Sequence, residues 1–216
     1  MRYKRIFYSI FPVLGLLGGL MMSSCGGPGS GDLPYLGNHN TVDGQTVYHQ
    51  IRPFSFVNQD SAVVTNATFA GKIYVADFFF TSCPTICPKV KKNMLRIYEK
   101  YADRPELVFL SHSIDVKYDT VGRLKAYADN LNISSDRWHL ITGDKDEIYK
   151  IAEDYMSVAM EDADAPGGYN HSGWIVLIDD KGHVRSYSDG TDAAAVDEFM
   201  LDIEWLLQDV YGAAKQ

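Results

Sequence analysis

Apolar positions along the chain alternate between two rhythms. Ile73 to Phe80 is an almost unbroken apolar run, rich in aromatic and β-branched residues and interrupted only by Asp77, which predicts a buried strand. Val90, Met94, Ile97, Tyr98 and Tyr101 then recur at helical spacing, with Lys89, Lys91, Lys92 and Lys100 largely between them. Pro88 suits the first turn of that helix, where its missing N–H has no partner to lose. After Arg104-Pro105, Leu107 to Ile114 reads as a second core strand ending in Asp115. Thr120 is placed to cap a helix carrying Leu124, Tyr127, Ala128 and Leu131. Trp138 to Ile141 predicts a short strand, and Gly143-Asp144 opens a helix with Ile148, Ile151, Ala152 and Tyr155 on one face. Glu161 to Gly168 reads as an exposed acidic loop. Ser172 to Ile178 is an apolar strand, Asp179 to Gly182 a turn, and His183 to Tyr187 the return strand. An amphipathic helix from Asp192 to Val210 closes the pattern. Upstream, Phe54 to Val64 predicts a hairpin turning near Asn58-Gln59-Asp60, while Leu33 to Gln50 is polar and predicts no element. Strands alternating with helices, then a hairpin and a final helix, imply an α/β layered domain.

At 216 residues, 46% hydrophobic and 22% charged, the chain is long enough for one domain with a tail. The net charge of −8 argues against a nucleic-acid partner. The first residues have a different character. Arg2, Lys4 and Arg5 precede a mostly apolar stretch, Ile6 to Met22, in a secretory layout. Met22-Ser23-Ser24-Cys25 resembles a bacterial lipobox. That resemblance implies that residues 1–24 are removed, that Cys25 carries a lipid, and that the protein is exported and anchored to a bacterial membrane, facing the periplasm or cell exterior. Loss of the three leader cations takes the charge from −8 to −11, so the anchor and not electrostatics must supply membrane attachment. Residues 25–50 are expected to be the lipidated cysteine and a flexible tether, with glycine-rich Gly26 to Asp32 at its start. The folded domain is expected over 51–216.

Cys83 and Cys87 remain as a pair in the folded part. They fall in the turn between the Ile73–Phe80 strand and the following helix, the end of a central strand where open α/β sheets place their sites. Unpaired N–H groups at a helix start favour a thiolate, and Cys87 stands at or near that start. A four-residue step brings both sulfurs to one side. Such a pair can form a disulfide or jointly hold a soft metal. A purely structural bridge is disfavoured, because closing so short a loop constrains the unfolded chain little.

Two resemblances enter here. Asp77 precedes Cys83 by six residues, as a buried aspartate precedes the first active-site cysteine of thioredoxins, and the order of elements resembles a thioredoxin-like fold: a central mixed sheet flanked by helices, with an N-terminal hairpin extension. Three residues separate the cysteines here, not the two of thioredoxins. More closely, Asp77-Phe78-Phe79-Phe80-Thr81-Ser82-Cys83-Pro84-Thr85-Ile86-Cys87-Pro88, Ser113-Ile114-Asp115 with Asp119-Thr120, Leu140-Ile141-Thr142-Gly143, and Asn170-His171-Ser172 resemble the Sco/SenC family of copper-binding, thioredoxin-like assembly factors for cytochrome c oxidase. Val116 stands where that family usually has a proline. The resemblance spans roughly Phe54 to the C-terminus.

The resemblance implies one copper, as Cu(I) or Cu(II), held by Cys83, Cys87 and His171, a donor set whose thiolates suit Cu(I) and whose imidazole suits copper in either state. It also implies that Asp77, Asp115 and Asp119 stand either behind the ligands, supporting them, or at a partner-facing surface. His39, His49, His112, His139 and His183 are expected to be structural. The function implied is a copper chaperone that delivers copper to the dinuclear site of an oxidase subunit, with a thiol reductant as a second partner. The alternative is a thiol–disulfide oxidoreductase using the redox-active pair Cys83 and Cys87.

Overall fold

A computed structural model describes residues 32–212; the leader and Cys25 lie outside them. In chain order the elements are β1 (Asn40–Val42), β2 (Gln45–Val47), β3 (Ser55–Asn58), β4 (Val63–Thr65), a short 3-10 helix (Asn66–Phe69), β5 (Ile73–Phe79), α1 (Cys87–Lys100), β6 (Leu107–Ser113), α2 (Val121–Leu131), β7 (Trp138–Thr142), α3 (Lys145–Ala152), β8 (Ala159–Glu161), β9 (Tyr169–His171), β10 (Trp174–Ile178), β11 (Val184–Asp189) and α4 (Ala193–Tyr211). Among the described residues the main sheet has seven strands in the order β11-β10-β5-β6-β7-β3-β4. Strands β5, β6 and β7 run parallel at its centre, and the outer pairings are antiparallel.

The sequence dictates this arrangement. Every residue of β5 and of β6 is buried, as parallel strands covered on both faces require. Thr120, Asp144 and Asp192 each accept a hydrogen bond from a first-turn N–H of the helix they precede, satisfying donors that would otherwise be orphaned. Asn132 closes α2 in the left-handed conformation, at φ 54°. On one sheet face, Asp77 and Phe79 point toward α1, Tyr127 of α2 meets the Phe79 ring at 5.6 Å, and Tyr101 donates to the carbonyl of Met200 in α4. The other face carries Phe78, His112 and Tyr155.

The fold is the expected mixed α/β layered one, with two local differences. The expected N-terminal hairpin extension joins the main sheet: β3 pairs with β7 and carries it outward. Helix α3 stops at Ala152, and Tyr155, beyond its end, is still fully buried and hydrogen-bonded to Tyr74. Of the expected tether, residues 33–50 are held to the domain. Leu36 N–H donates to Val184 O at 2.9 Å, Arg185 donates to the carbonyls of Leu33 and Pro34, and Ile51 N–H donates to Gly182 O. The β1–β2 hairpin forms within this segment around Asp43 and Gly44, both at positive φ, a turn that the Asp-Gly pair itself signals.

Candidate metal centre

Strand β5 delivers the chain to Phe80, a turn carries Cys83, and α1 begins at Cys87. Ile86 at the helix cap makes no side-chain hydrogen bond to the first turn, so the turn's amide groups remain available to a nearby acceptor. Across from them, β9 pairs with β8 in a two-stranded ribbon, with His171 opposite Ala159. This small sheet, absent from the sequence reading, presents His171 to the cysteines. Cys83, Cys87 and His171 are all buried, and one donor atom from each lies within 4.8 Å of the other two. Sγ of Cys87 is 3.4 Å from Nε2 of His171. Nδ1 of His171 lies 3.1 Å from the carbonyl oxygen of Ser172. A carbonyl can only accept, so Nδ1 carries a proton and Nε2 is the ring atom turned toward the sulfurs. Nε2 is therefore the atom placed to meet a metal ion, with Nδ1 anchored by the backbone.

The centre opens to a cavity of about 250 Å³ whose lining includes Cys83, Ile86, Ala165, Pro166, Asn170 and His171. Phe80 walls it, edge-on to His171 at 5.7 Å and tilted against Tyr169 at 5.0 Å. Gly167 sits at φ +84°, and a Cβ there would come within 2.8 Å of the Phe80 ring. The loop over the site therefore requires glycine at this position both for its backbone and for its clearance.

The two sulfurs are electrostatically unlike. Burial raises the pKa of Cys83, but hydrogen bonds from the Thr85 amide, His171, the Cys87 amide and the Cys87 thiol outweigh it and bring the value down to about 6. Burial dominates at Cys87 and, together with the neighbouring Cys83 charge, raises its pKa well above the ordinary thiol range, against opposing pulls from the Phe80 backbone and Lys91. The stabilisation expected at Cys87 from the helix start thus falls on Cys83, which faces the open amides, while Cys87 lies deeper.

Residues 42–208 match the family model described as SCO1/SenC. The chain belongs to the SCO1/SenC family. Among solved structures, it is similar to a SCO1/SenC family lipoprotein from Bacillus anthracis str. Ames, with 28% identity, TM-score 0.67, and coverage of 73% of this chain and 94% of the other. It is similar to BsSco, reported as a member of the Sco family of cytochrome c oxidase assembly proteins with a disulfide switch, at 26% identity, TM-score 0.63, and coverage of 73% and 93%. It is also similar to copper-bound ScoI of Bradyrhizobium japonicum, at 25% identity, TM-score 0.55, and coverage of 70% and 97%.

Of the two roles expected for Asp115 and Asp119, behind the ligands or facing a partner, their burial at 3% and 0% exposure fits the first. Both lie in the β6–α2 connection, and each grips one half of the centre. Asp119 accepts from the Thr81 amide at 2.9 Å, from the Thr81 hydroxyl and from Ser113 at 2.7 Å, fixing the turn that leads to Cys83. Asp115 accepts from the Tyr169 hydroxyl at 2.8 Å, fixing the strand that carries His171. Burial without such partners would cost several kcal/mol, so the carboxylates are where their donors are.

Asp77 is buried, as expected, and its partner is one that sequence reasoning missed. Lys91 is 2% exposed, and its ammonium donates to both Asp77 oxygens, at 2.7 and 3.0 Å, and to Ser111 at 2.8 Å. It lies 4.0 Å from the centre of the Phe79 ring. Burial lowers the Lys91 pKa while Asp77, and more weakly Cys87, raise it. The signal was present: Lys91 follows Cys87 by four positions and precedes Met94 by three, which puts it on the buried face of α1.

The remaining histidines are engaged elsewhere. His49 donates to the carbonyl of Asp154, His139 meets Asn58, and His39 packs near Tyr48. His183 stands edge-on to Tyr35. His112 is fully buried among Phe54, Phe56, Phe78 and Tyr155, stacked on Phe78 at 4.6 Å. Cys25 lies outside the described residues, and among those residues no helix is long and apolar enough to cross a membrane.

Proposed function

We propose that this chain is a membrane-anchored copper chaperone, which takes up one copper ion as cargo on Cys83, Cys87 and His171 and delivers it to the dinuclear copper site of cytochrome c oxidase during assembly. One observation carries this reading: two sulfurs and an imidazole nitrogen converge within 4.8 Å, and Cys83 and His171 line an open cavity. Two thiolates and one neutral imidazole suit Cu(I). The copper-bound ScoI relative and the oxidase-assembly role reported for the BsSco family support it. Three donors leave the ion open to a further ligand. A thiol of the acceptor can enter before Cys83, Cys87 or His171 leaves, so copper passes by stepwise exchange and is never free. Attachment through a lipid on Cys25 is supported by the lipobox-like sequence and by the lipoprotein relative.

The decisive experiment is an anaerobic Cu(I) titration of the reduced protein against a competing chelator, beside Cys83→Ser and His171→Ala. One-to-one binding that both substitutions weaken by tenfold or more is the expected result. Binding indifferent to His171 would remove the imidazole from the ligand set and with it this reading.

The asymmetry of the sulfurs favours a second reading, a thiol–disulfide oxidoreductase acting on the cysteines of its partner. A partner disulfide would be attacked by the Cys83 thiolate to give a mixed disulfide. Cys87 would then displace the partner thiolate, leaving Cys83–Cys87 oxidised and the partner reduced by two electrons. The disulfide switch reported for BsSco supports this reading as well. Retained thiol exchange in His171→Ala, alongside lost copper binding, would separate the two roles.

A further inference from the structure

Cys83 borders two openings. Besides the His171 cavity, a cleft of about 350 Å³ lies between α1 and α2, with Cys83 and Cys87 at its floor and Lys92, Leu95, Tyr127 and Leu131 among its walls. His171 does not line it. Leu95, Tyr127 and Leu131 are only partly buried, a half-open apolar lip. Lys92 is exposed, and among the described residues no carboxylate lines the cleft. This is unlike the chain as a whole, which carries a net charge of −8.

From these features we infer that the α1–α2 cleft is the entry for a thiol reductant, and that it selects thiols with anionic neighbouring groups. The inference rests on the reading of Cys83 and Cys87 as a redox-competent pair. The entering thiolate attacks Sγ of Cys83, the less buried sulfur, and the Cys83–Cys87 bond breaks with its electron pair leaving on Cys87. A second thiolate then displaces Cys83 from the mixed disulfide, so the reductant leaves as its own disulfide and both cysteines are reduced. The apolar lip takes the methylene stem of the thiol, and Lys92 meets its anion. Copper exchange and reduction would then use opposite sides of one sulfur pair.

The test is the rate of reduction of the oxidised full chain by 3-mercaptopropionate, 2-mercaptoethanol and cysteamine, each normalised to its thiolate concentration. The net negative charge of the protein favours the cationic thiol at long range, so a preference for the anionic one reports the cleft. Mercaptopropionate is expected to react at least threefold faster than cysteamine, with the order reversed in Lys92→Glu. Leu131→Trp should slow all three thiols by tenfold or more while keeping the parent's Cu(I) affinity, which also reports an intact fold. Ala165→Trp, in the other cavity, should leave the rates unchanged. Failure of Cys83 and Cys87 to form a disulfide, parent-like rates in Leu131→Trp, or slowing by Ala165→Trp instead would each overturn the assignment. Should Leu131→Trp not fold, the surface change Lys92→Glu decides alone: an unaltered thiol preference overturns the inference. Loss of copper binding by the parent would sink the chaperone reading and leave these rates still informative.

Discussion

Thr81 hangs from Asp119: its amide and its hydroxyl both donate to the one carboxylate, two residues before Cys83. The same carboxylate takes the hydroxyl of Ser113 at the end of β6. Asp119→Ala removes the acceptor from three buried or half-buried donors and should cost about 2–4 kcal/mol in urea unfolding. Asp119→Asn keeps the volume but loses the charge, and should lower Cu(I) affinity by tenfold or more in chelator competition. Parent-like affinity in both variants would mean that the cysteine turn holds its shape unaided.

Alkylation should distinguish the sulfurs. With its pKa near 6, Cys83 is expected to react with iodoacetamide at a rate that rises through pH 6 and levels off by pH 7 to 8. Cys87, raised by burial, should stay unmodified at pH 7 by peptide mapping. Above pH 7 Cys87 still has a proton to lose to an incoming metal, so Cu(I) affinity should rise about tenfold per pH unit there. A flat profile would contradict the assignment of one ionised and one protonated thiol.

His112 gives the fold an acid limit. Burial pushes its pKa down to about 3, while the unfolded value is about 6.5. Below pH 6.5 the unfolded chain therefore binds a proton that the folded chain refuses, and stability falls with pH until about pH 3. The slope from this one group is about 1.4 kcal/mol per pH unit. Urea denaturation at pH 6.5 and 4.5 should show His112→Leu losing about 2–3 kcal/mol less than the parent.

The Lys91–Asp77 pair should behave as a unit. Lys91→Met strands a buried carboxylate and is expected to cost about 3–5 kcal/mol. Adding Asp77→Leu should restore most of that loss, because two apolar side chains replace the pair without an orphaned charge. A double-mutant cycle by chemical denaturation measures the coupling. Additive losses would show that the two side chains do not depend on each other.

The sequence revealed those parts of the site whose chemistry is local. The aromatic strand, the cysteine turn and the helix behind it are contiguous, and their periodicities are unambiguous. His171 was reachable only through family resemblance, because the ribbon that carries it consists of two three-residue strands too short to show alternation. Lys91 was grouped with Lys89, Lys92 and Lys100 because a buried ammonium and a solvated one are the same letter; only its register with Cys87 and Met94 sets it apart. Asp115 and Asp119 could be expected either behind the ligands or at a partner surface for a similar reason. Their donors, Tyr169 and Thr81, come from segments far away in the chain, and nothing local marks a carboxylate as internally satisfied.

That distance has a consequence for biogenesis. The contacts that build the centre span 38 residues from Thr81 to Asp119, 54 from Asp115 to Tyr169 and 84 from Cys87 to His171. Loop closures of this length come late in folding. A chain still being made therefore offers two cysteines long before it offers the imidazole or the clamps. Until residue 171 has arrived and β9 has docked, copper can meet only a loose dithiol. High-affinity loading thus acts as a read-out of completed folding, and a nascent or damaged chain would not compete for the ion.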